Sequence, residues 1–334
     1  MGLLLMLFVL TVALSNGQDH PSGPPIRPGG LLVVANQREH SLLVVDPNSK
    51  QQLSKTVVGV NGHEVAVSKD GRLAYVPIYG DSDVDRPGTD GNSIDIVDLR
   101  TGKLVNSIAL GKPVRPHAAV LGSDSLLYVT AELANTVEVV DPAARKVVGE
   151  IPTGQSQSHA LTLSPDGRHA YVANVGAGSV SVLDLENRKL EAIIPVAKRI
   201  QRISISPDGH RIFTHDRVTP RIAVIDTARN KISGWIELPE TPFASTPTPD
   251  GRWLLVATFM GKRLYVVDLD SLKIFKSVDV PDVATEVLVQ PDGAKAFISC
   301  ARAGQIVVLD LNSWQLEEPI TLSPGVDGLA WAVR

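Results

Sequence analysis

Three of the eight histidines in this 334-residue chain, His63, His117 and His159, each stand seven residues before an aspartate in a tight-turn sequence, Asp70, Asp124 and Asp166. The same place is held by Gln201, Phe243 and Thr285 further along, and by Asp327 near the C-terminus. Neutral imidazoles that recur at one position of a repeat can face one shared space, and such a set suits a divalent transition metal such as zinc. The metal ligands would be His63, His117 and His159. Glu64, Arg115, Gln157, Arg202, His215 and Asp327 would line a ligand site around them. The competing reading is that each imidazole hydrogen-bonds the loop entering its own repeat, so that the three never meet. A second group, Asp81, Asp83 and Asp85, has the alternate spacing of a calcium loop, where a hard cation collects oxygen ligands. No glycine directly follows Asp85 and no glutamate closes the loop, so a solvated acidic loop is the alternative.

Such residues need a scaffold that brings one repeat position to one place, and the repeats describe it. Residues Ser158 to Val196 contain four short runs rich in Val, Ile, Leu and Tyr that alternate at period two. They are separated by Pro165-Asp166-Gly167, Gly176-Ala177-Gly178 and Glu186-Asn187-Arg188. Period-two alternation between turn signals argues strands, and four strands in about 42 residues make one β-propeller blade. An aspartate ends the third run each time, at 46, 98, 141, 184, 226, 268 and 310. Its carboxylate can accept N–H groups of the following turn. Seven aspartates predict an all-β, seven-bladed propeller of four-stranded antiparallel blades. The blades fall at about 31–60 plus 326–334, 61–110, 114–152, 157–196, 200–239, 243–280 and 284–322. Blade 1 lacks its innermost strand, and the tail Val326–Val333 is the strand left over to pair with it and close the ring. Blade 2 carries an insertion over 80–92, on the face where the inner strands begin.

The run Ser164-Pro165-Asp166-Gly167-Arg168-His169-Ala170-Tyr171-Val172-Ala173-Asn174 resembles the signature of the YVTN-repeat, YncE-like propellers. Leu127-Tyr128-Val129-Thr130 and Leu31-Leu32-Val33-Val34-Ala35-Asn36 are looser copies, and the resemblance covers about 31 to 334. It implies the propeller fold and is silent on activity, because related propellers include haem d1-binding domains, lactonases, lyases and binding modules. Under the haem d1 option an axial histidine would be needed, with Arg115, Arg202 and Arg217 for the propionates.

Composition narrows the remaining choices. The chain is 43% hydrophobic and 20% charged, enough for one large closed domain of residues 31–334, with only 4% aromatics. A net charge of −4 and the lack of a basic, aromatic strip argue against nucleic acid as a partner. One cysteine, Cys300, excludes an internal disulfide and reads as a small buried apolar residue. Residues 1–17 read as a secretory signal peptide and 18–30 as a disordered linker. The expected product is an exported monomer, periplasmic or extracellular, with no transmembrane segment after signal removal. It would bind a small ligand or a protein partner on the face bearing the blade 2 insertion. The alternatives are a metal-dependent lyase- or lactonase-like enzyme and a haem d1-type cofactor propeller. No Ser-His-Asp spacing, phosphate-binding glycine loop or CxxC motif appears.

Overall fold

The structure, a computed structural model, describes residues 29–334 apart from residues 85 and 259. The signal peptide and all but the end of the linker therefore lie outside the described residues, as does Asp85. Among the described residues every regular element is a strand, and no helix is long and apolar enough to cross a membrane.

Seven antiparallel sheets form a ring, and each is one blade. Blade 4 shows the plan: Ser158–Leu163 innermost, then His169–Asn174, Ser179–Asp184 and Lys189–Pro195 outermost. Its two middle strands are buried almost throughout, while the outermost alternates between exposed and half-buried residues. That gradient follows from packing blade against blade. Each apolar cluster draws on two neighbouring sheets, as where Tyr171, Val180 and Ile194 of blade 4 meet Ile200, Ile212 and Ile225 of blade 5. With few aromatics, these layers are filled by Val, Ile, Leu and Ala, each buried Val, Ile or Leu side chain contributing about 1.5–3 kcal/mol. In blade 7 the outermost strand is split into Gln315–Leu316 and Ile320–Thr321, both pairing with Gln305–Asp310.

The ring closes as the tail predicted. Val326–Val333 pairs antiparallel with Gly30–Asn36 and becomes the innermost strand of blade 1. Blade 1 then packs on blade 7 through Leu32, Val34, Phe297 and Ile306. The Gly328 N–H donates to the His63 carbonyl, and a Cβ at 328 would collide with that oxygen, so the tail also fixes the entry to blade 2.

The two ends of the blades differ. At one end the first hairpin repeats one solution: in blade 4 the Ser164 hydroxyl donates to Asp166, and Asp166 accepts the Arg168 N–H. Gly167 supplies the positive φ of 71° that this turn requires. The third-strand aspartates close their turns in the same manner: Asp98 Oδ1 accepts the N–H groups of Arg100 and Thr101. At the other end the inner strands begin irregularly, and that irregularity builds the site.

Candidate functional site

Between the first and second strands of six blades the register slips by one residue near the start of the inner strand. In blade 4 Ser158 faces Asn174 and Ala160 faces Ala173, so His159 is the extra residue of a β-bulge. Phe243 and Thr285 are extra residues in the same way. A bulge re-aims a side chain, here into the central channel, and lets two successive residues of one strand both face it. Blade 2, whose inner strand Ala66–Val67 begins later, brings in His63 and Glu64 on the segment ahead of that strand, and two stacked rings result. One carries His63, His117, His159, Gln201, Phe243, Thr285 and Asp327; the next residue in each blade gives Glu64, Ala118, Ala160, Arg202, Ala244, Glu286 and Gly328.

The histidines converge. His63 Nε2 and His117 Nε2 are 2.9 Å apart, and the ring of His159 lies 3.5 Å from that of His117, centroid to centroid, at an interplanar angle of 30°. His63 Nδ1 lies 3.2 Å from the Asn61 carbonyl and so carries a proton, which leaves its Nε2 as the acceptor of His117 Nε2–H. His117 Nδ1 is then a buried lone pair without a partner. His159 Nδ1 donates to Glu132 at 2.9 Å, which directs its Nε2 toward Gln201. Burial pushes the pKa of His117 well below the usual imidazole value, reinforced by His159 and His63, and burial also lowers that of His159. Neutral imidazoles are the form that ligates a metal.

Among the described residues, the group of metal-type ligand atoms within 4.8 Å of one another is His63, Glu64 and His117. His159 lies outside that group, stacked on the face of His117. Two nitrogens on one tetrahedral zinc stand about 3.3 Å apart, so to bind one the two rings need to open by a few tenths of an ångström and His117 must carry its proton on Nδ1, which has no partner, instead of on Nε2.

Glu132 anchors this wall. It is buried and accepts from His159, from Tyr79 Oη at 2.9 Å and from Arg115 Nη1 at 3.0 Å. Burial alone would raise its pKa, but the bonds from His159 and Tyr79 and the Arg115 charge hold it below the usual carboxylate value. Tyr79 packs edge-on against both His63 and His117.

The rings are roofed by the blade 2 insertion. Asp83 and Arg86 form an isolated bridge at its tip. Arg115 Nη1 donates to the Asp83 carbonyl at 2.9 Å while its other nitrogens hold Asp90, and Gln157 Nε2 donates to the Val84 carbonyl at 3.0 Å. Arg115 and Gln157 are thus braces of the roof, both in the left-handed region at φ 53° and 57°. Beneath it lies a cavity of about 390 Å³ whose walls include His63, His117, His159, Arg202, Arg217 and Asp327. Burial lowers the pKa of Arg217 to about 10, with Arg199 and Arg202 adding to the effect, and burial raises that of Asp327.

Arg202 closes the channel below. Its Nη1 donates to Glu64 at 2.6 Å and to Glu286 at 2.7 Å, spanning from blade 5 to blades 2 and 7. The small side chains of Ala118 and Ala160 line the space beside Arg202, Glu64 and Glu286. A second cavity of about 410 Å³ lies on the far side.

Two further groups of candidate residues are held by their immediate neighbours. His215 is fully buried, with Nδ1 on the Phe243 carbonyl and Nε2 on the Ser245 hydroxyl, both at 2.8 Å. It ties blade 5 to blade 6 instead of lining the cleft, and burial drives its pKa to about 3. In the acidic loop, Asp81 accepts the Thr89 N–H and Asp83 accepts the Val84 N–H, so these carboxylates close the hairpin on itself. Cys300 is buried near the Asp282 carbonyl, and burial lifts its thiol to about 11.

Sequence reading missed Tyr79, Glu132 and Glu286. A signal was present: Gln37, Glu132 and Arg217 each directly follow the last residue of their second strand, and Tyr79 takes the same repeat position, four residues after Tyr75, although its strand runs on to Gly80. Glu286 shares its position with Glu64 and Arg202.

Residues 115–247 match the family model described as lactonase, 7-bladed beta-propeller. No curated protein matches the chain. Solved structures similar to it include a hydrazine synthase of Kuenenia stuttgartiensis (19% identity, TM-score 0.68, covering 79% of this chain and 88% of that one). Another is the dihydro-haem d1 dehydrogenase NirN in complex with DHE (20% identity, TM-score 0.67, 93% and 77% covered). A third is a functionally unknown protein from Desulfotomaculum acetoxidans (14% identity, TM-score 0.76, 91% and 99% covered). At these identities the likeness is one of fold.

Proposed function

We propose that this chain is an exported, monomeric propeller of the YVTN type that binds a small ligand under the blade 2 insertion, over a divalent transition metal held by His63 and His117. The observation that carries the reading is the 2.9 Å approach of two imidazole nitrogens, with a glutamate beside them, at the edge of a roofed cavity. The cavity lies within the size range of small-molecule sites, which begins near about 300 Å³. It mixes Tyr79 and Phe243 with Arg217, Thr285 and Asp327, a lining that suits a small polar ligand.

A lactonase-like hydrolytic activity is the second reading. It is favoured by the match over 115–247 and by the chain Tyr79–Glu132–His159, which would orient His159 for proton transfer beside the cavity. A metal at the site would lower the pKa of a bound water toward neutrality.

The test is zinc uptake by the purified protein, followed by calorimetry. The parent should bind one equivalent, and His63→Ala/His117→Ala should lose at least about 100-fold in affinity while retaining its β-sheet spectrum. Uptake by the double variant equal to that of the parent would refute the site.

A further inference from the structure

The ring below the histidines contains three ionisable residues and otherwise Ala or Gly. Glu64 directly follows His63, and its carboxylate belongs to the same cluster of ligand atoms as His63 and His117. Yet this carboxylate is already engaged: Oε1 accepts from Arg202 Nη1 at 2.6 Å. The same Nη1 also reaches Glu286 Oε2 at 2.7 Å. The two carboxylates thus share one guanidinium nitrogen, and Asp327 lies near enough to favour the Arg202 charge as well.

We infer that Glu64 is the third metal ligand and that Arg202 sets the affinity of the site by competing for it. This deepens the metal-site reading and rests on it. A guanidinium and a divalent cation cannot both have full use of one carboxylate at short range, because each repels the other. Glu286 makes the exchange feasible. When Glu64 turns to the metal, Arg202 keeps a carboxylate at 2.7 Å and stays paired, so the buried guanidinium is never stranded. Arg202 is a positioning residue: it touches no ligand of the metal except Glu64.

Cobalt(II) is a suitable probe, since its visible spectrum reports the number and type of ligands. With the full-length protein, Arg202→Met should bind cobalt at least about tenfold more tightly than the parent. In a Glu64→Gln background the same substitution should change affinity by less than about twofold. Glu286→Gln, which leaves Arg202 to Glu64 alone and keeps every metal ligand, should weaken cobalt binding several-fold. This second variant provides the test if Arg202→Met fails to fold. A gain that survives Glu64→Gln, or a Glu286→Gln protein that binds as the parent does, would overturn the inference. If the parent binds cobalt through His63 and His117 but Arg202→Met leaves the affinity unchanged, only the role of Arg202 falls. If folded parent and variants all take up no cobalt, the metal reading falls with it.

Discussion

The two ends of each blade are built from the same strands and obey different rules. At the hairpin end, Ser164, Ser206 and Thr248 each donate a hydroxyl to the aspartate two residues on, at Asp166, Asp208 and Asp250. One local solution is copied, and every member satisfies its own backbone. At the channel end the corresponding positions diverge into histidine, glutamine, phenylalanine, threonine and aspartate, presented by bulges. Buried ionisable groups there reach across blades: Arg202 reaches two others, and Glu132 in blade 3 gathers Tyr79 of blade 2 and His159 of blade 4 as well as Arg115 of its own blade. Repetition without variation serves folding, whereas variation at a fixed position of a repeat assembles a site.

The comparison can be broken most severely at the tail, where both ends depend on one strand. Removal of residues 326–334 should unpair Gly30–Asn36, expose the edge of blade 1 and give an aggregating or unfolded chain by size-exclusion chromatography. A monomer with an unchanged melting temperature would contradict the closure described here.

Next comes the anchoring carboxylate. Glu132→Ala should cost about 2–4 kcal/mol in urea unfolding, because it leaves buried Tyr79 and His159 without their acceptor and Arg115 with Asp90 as its one remaining carboxylate. A loss below about 1 kcal/mol would mean that these side chains repair themselves with water.

A smaller effect appears in the pH dependence. Burial raises the pKa of Glu286 from 4.5 to about 7, against the opposing pull of Arg202. Its folded form therefore holds the proton more tightly than the unfolded chain does. That contribution to stability is complete below the unfolded value and is lost as pH rises through about 7. Between about pH 5 and pH 8 the parent should lose on the order of 1–2 kcal/mol more than Glu286→Gln, which cannot ionise. Equal slopes for the two proteins would assign Glu286 an ordinary pKa.

The mildest change lies at the hairpin end. Ser164→Ala should cost about 1 kcal/mol and leave zinc uptake untouched, as a purely local turn requires. An altered zinc affinity would mean that the two ends are coupled.

The contrast also explains what could be read from the residues alone. The seven aspartates and the Pro-Asp-Gly turns carry local chemistry, so blade number, strand order and the closing role of Val326–Val333 were legible. The convergence of His63 and His117 was legible too, because a ring rotation maps a shared repeat position to a shared place. The roles of Arg115 and Gln157 were not. Both bond to carbonyls of the insertion, at Asp83 and Val84, and that loop follows no repeat. His215 misled because a polar residue near a strand end looks like a rim residue, whereas here the neighbouring blade supplies both of its partners. Glu132 escaped notice because its importance comes from three donors far apart in the chain.

The central claim is that a metal sits between His63 and His117. Crystals of the full-length protein soaked in zinc, with data collected on both sides of the zinc absorption edge, test it directly. One strong anomalous peak is expected about 2.0–2.1 Å from both Nε2 atoms, with a Glu64 oxygen completing the set. Absence of a peak there, or a peak only at Asp81 and Asp83 of the insertion, would contradict it.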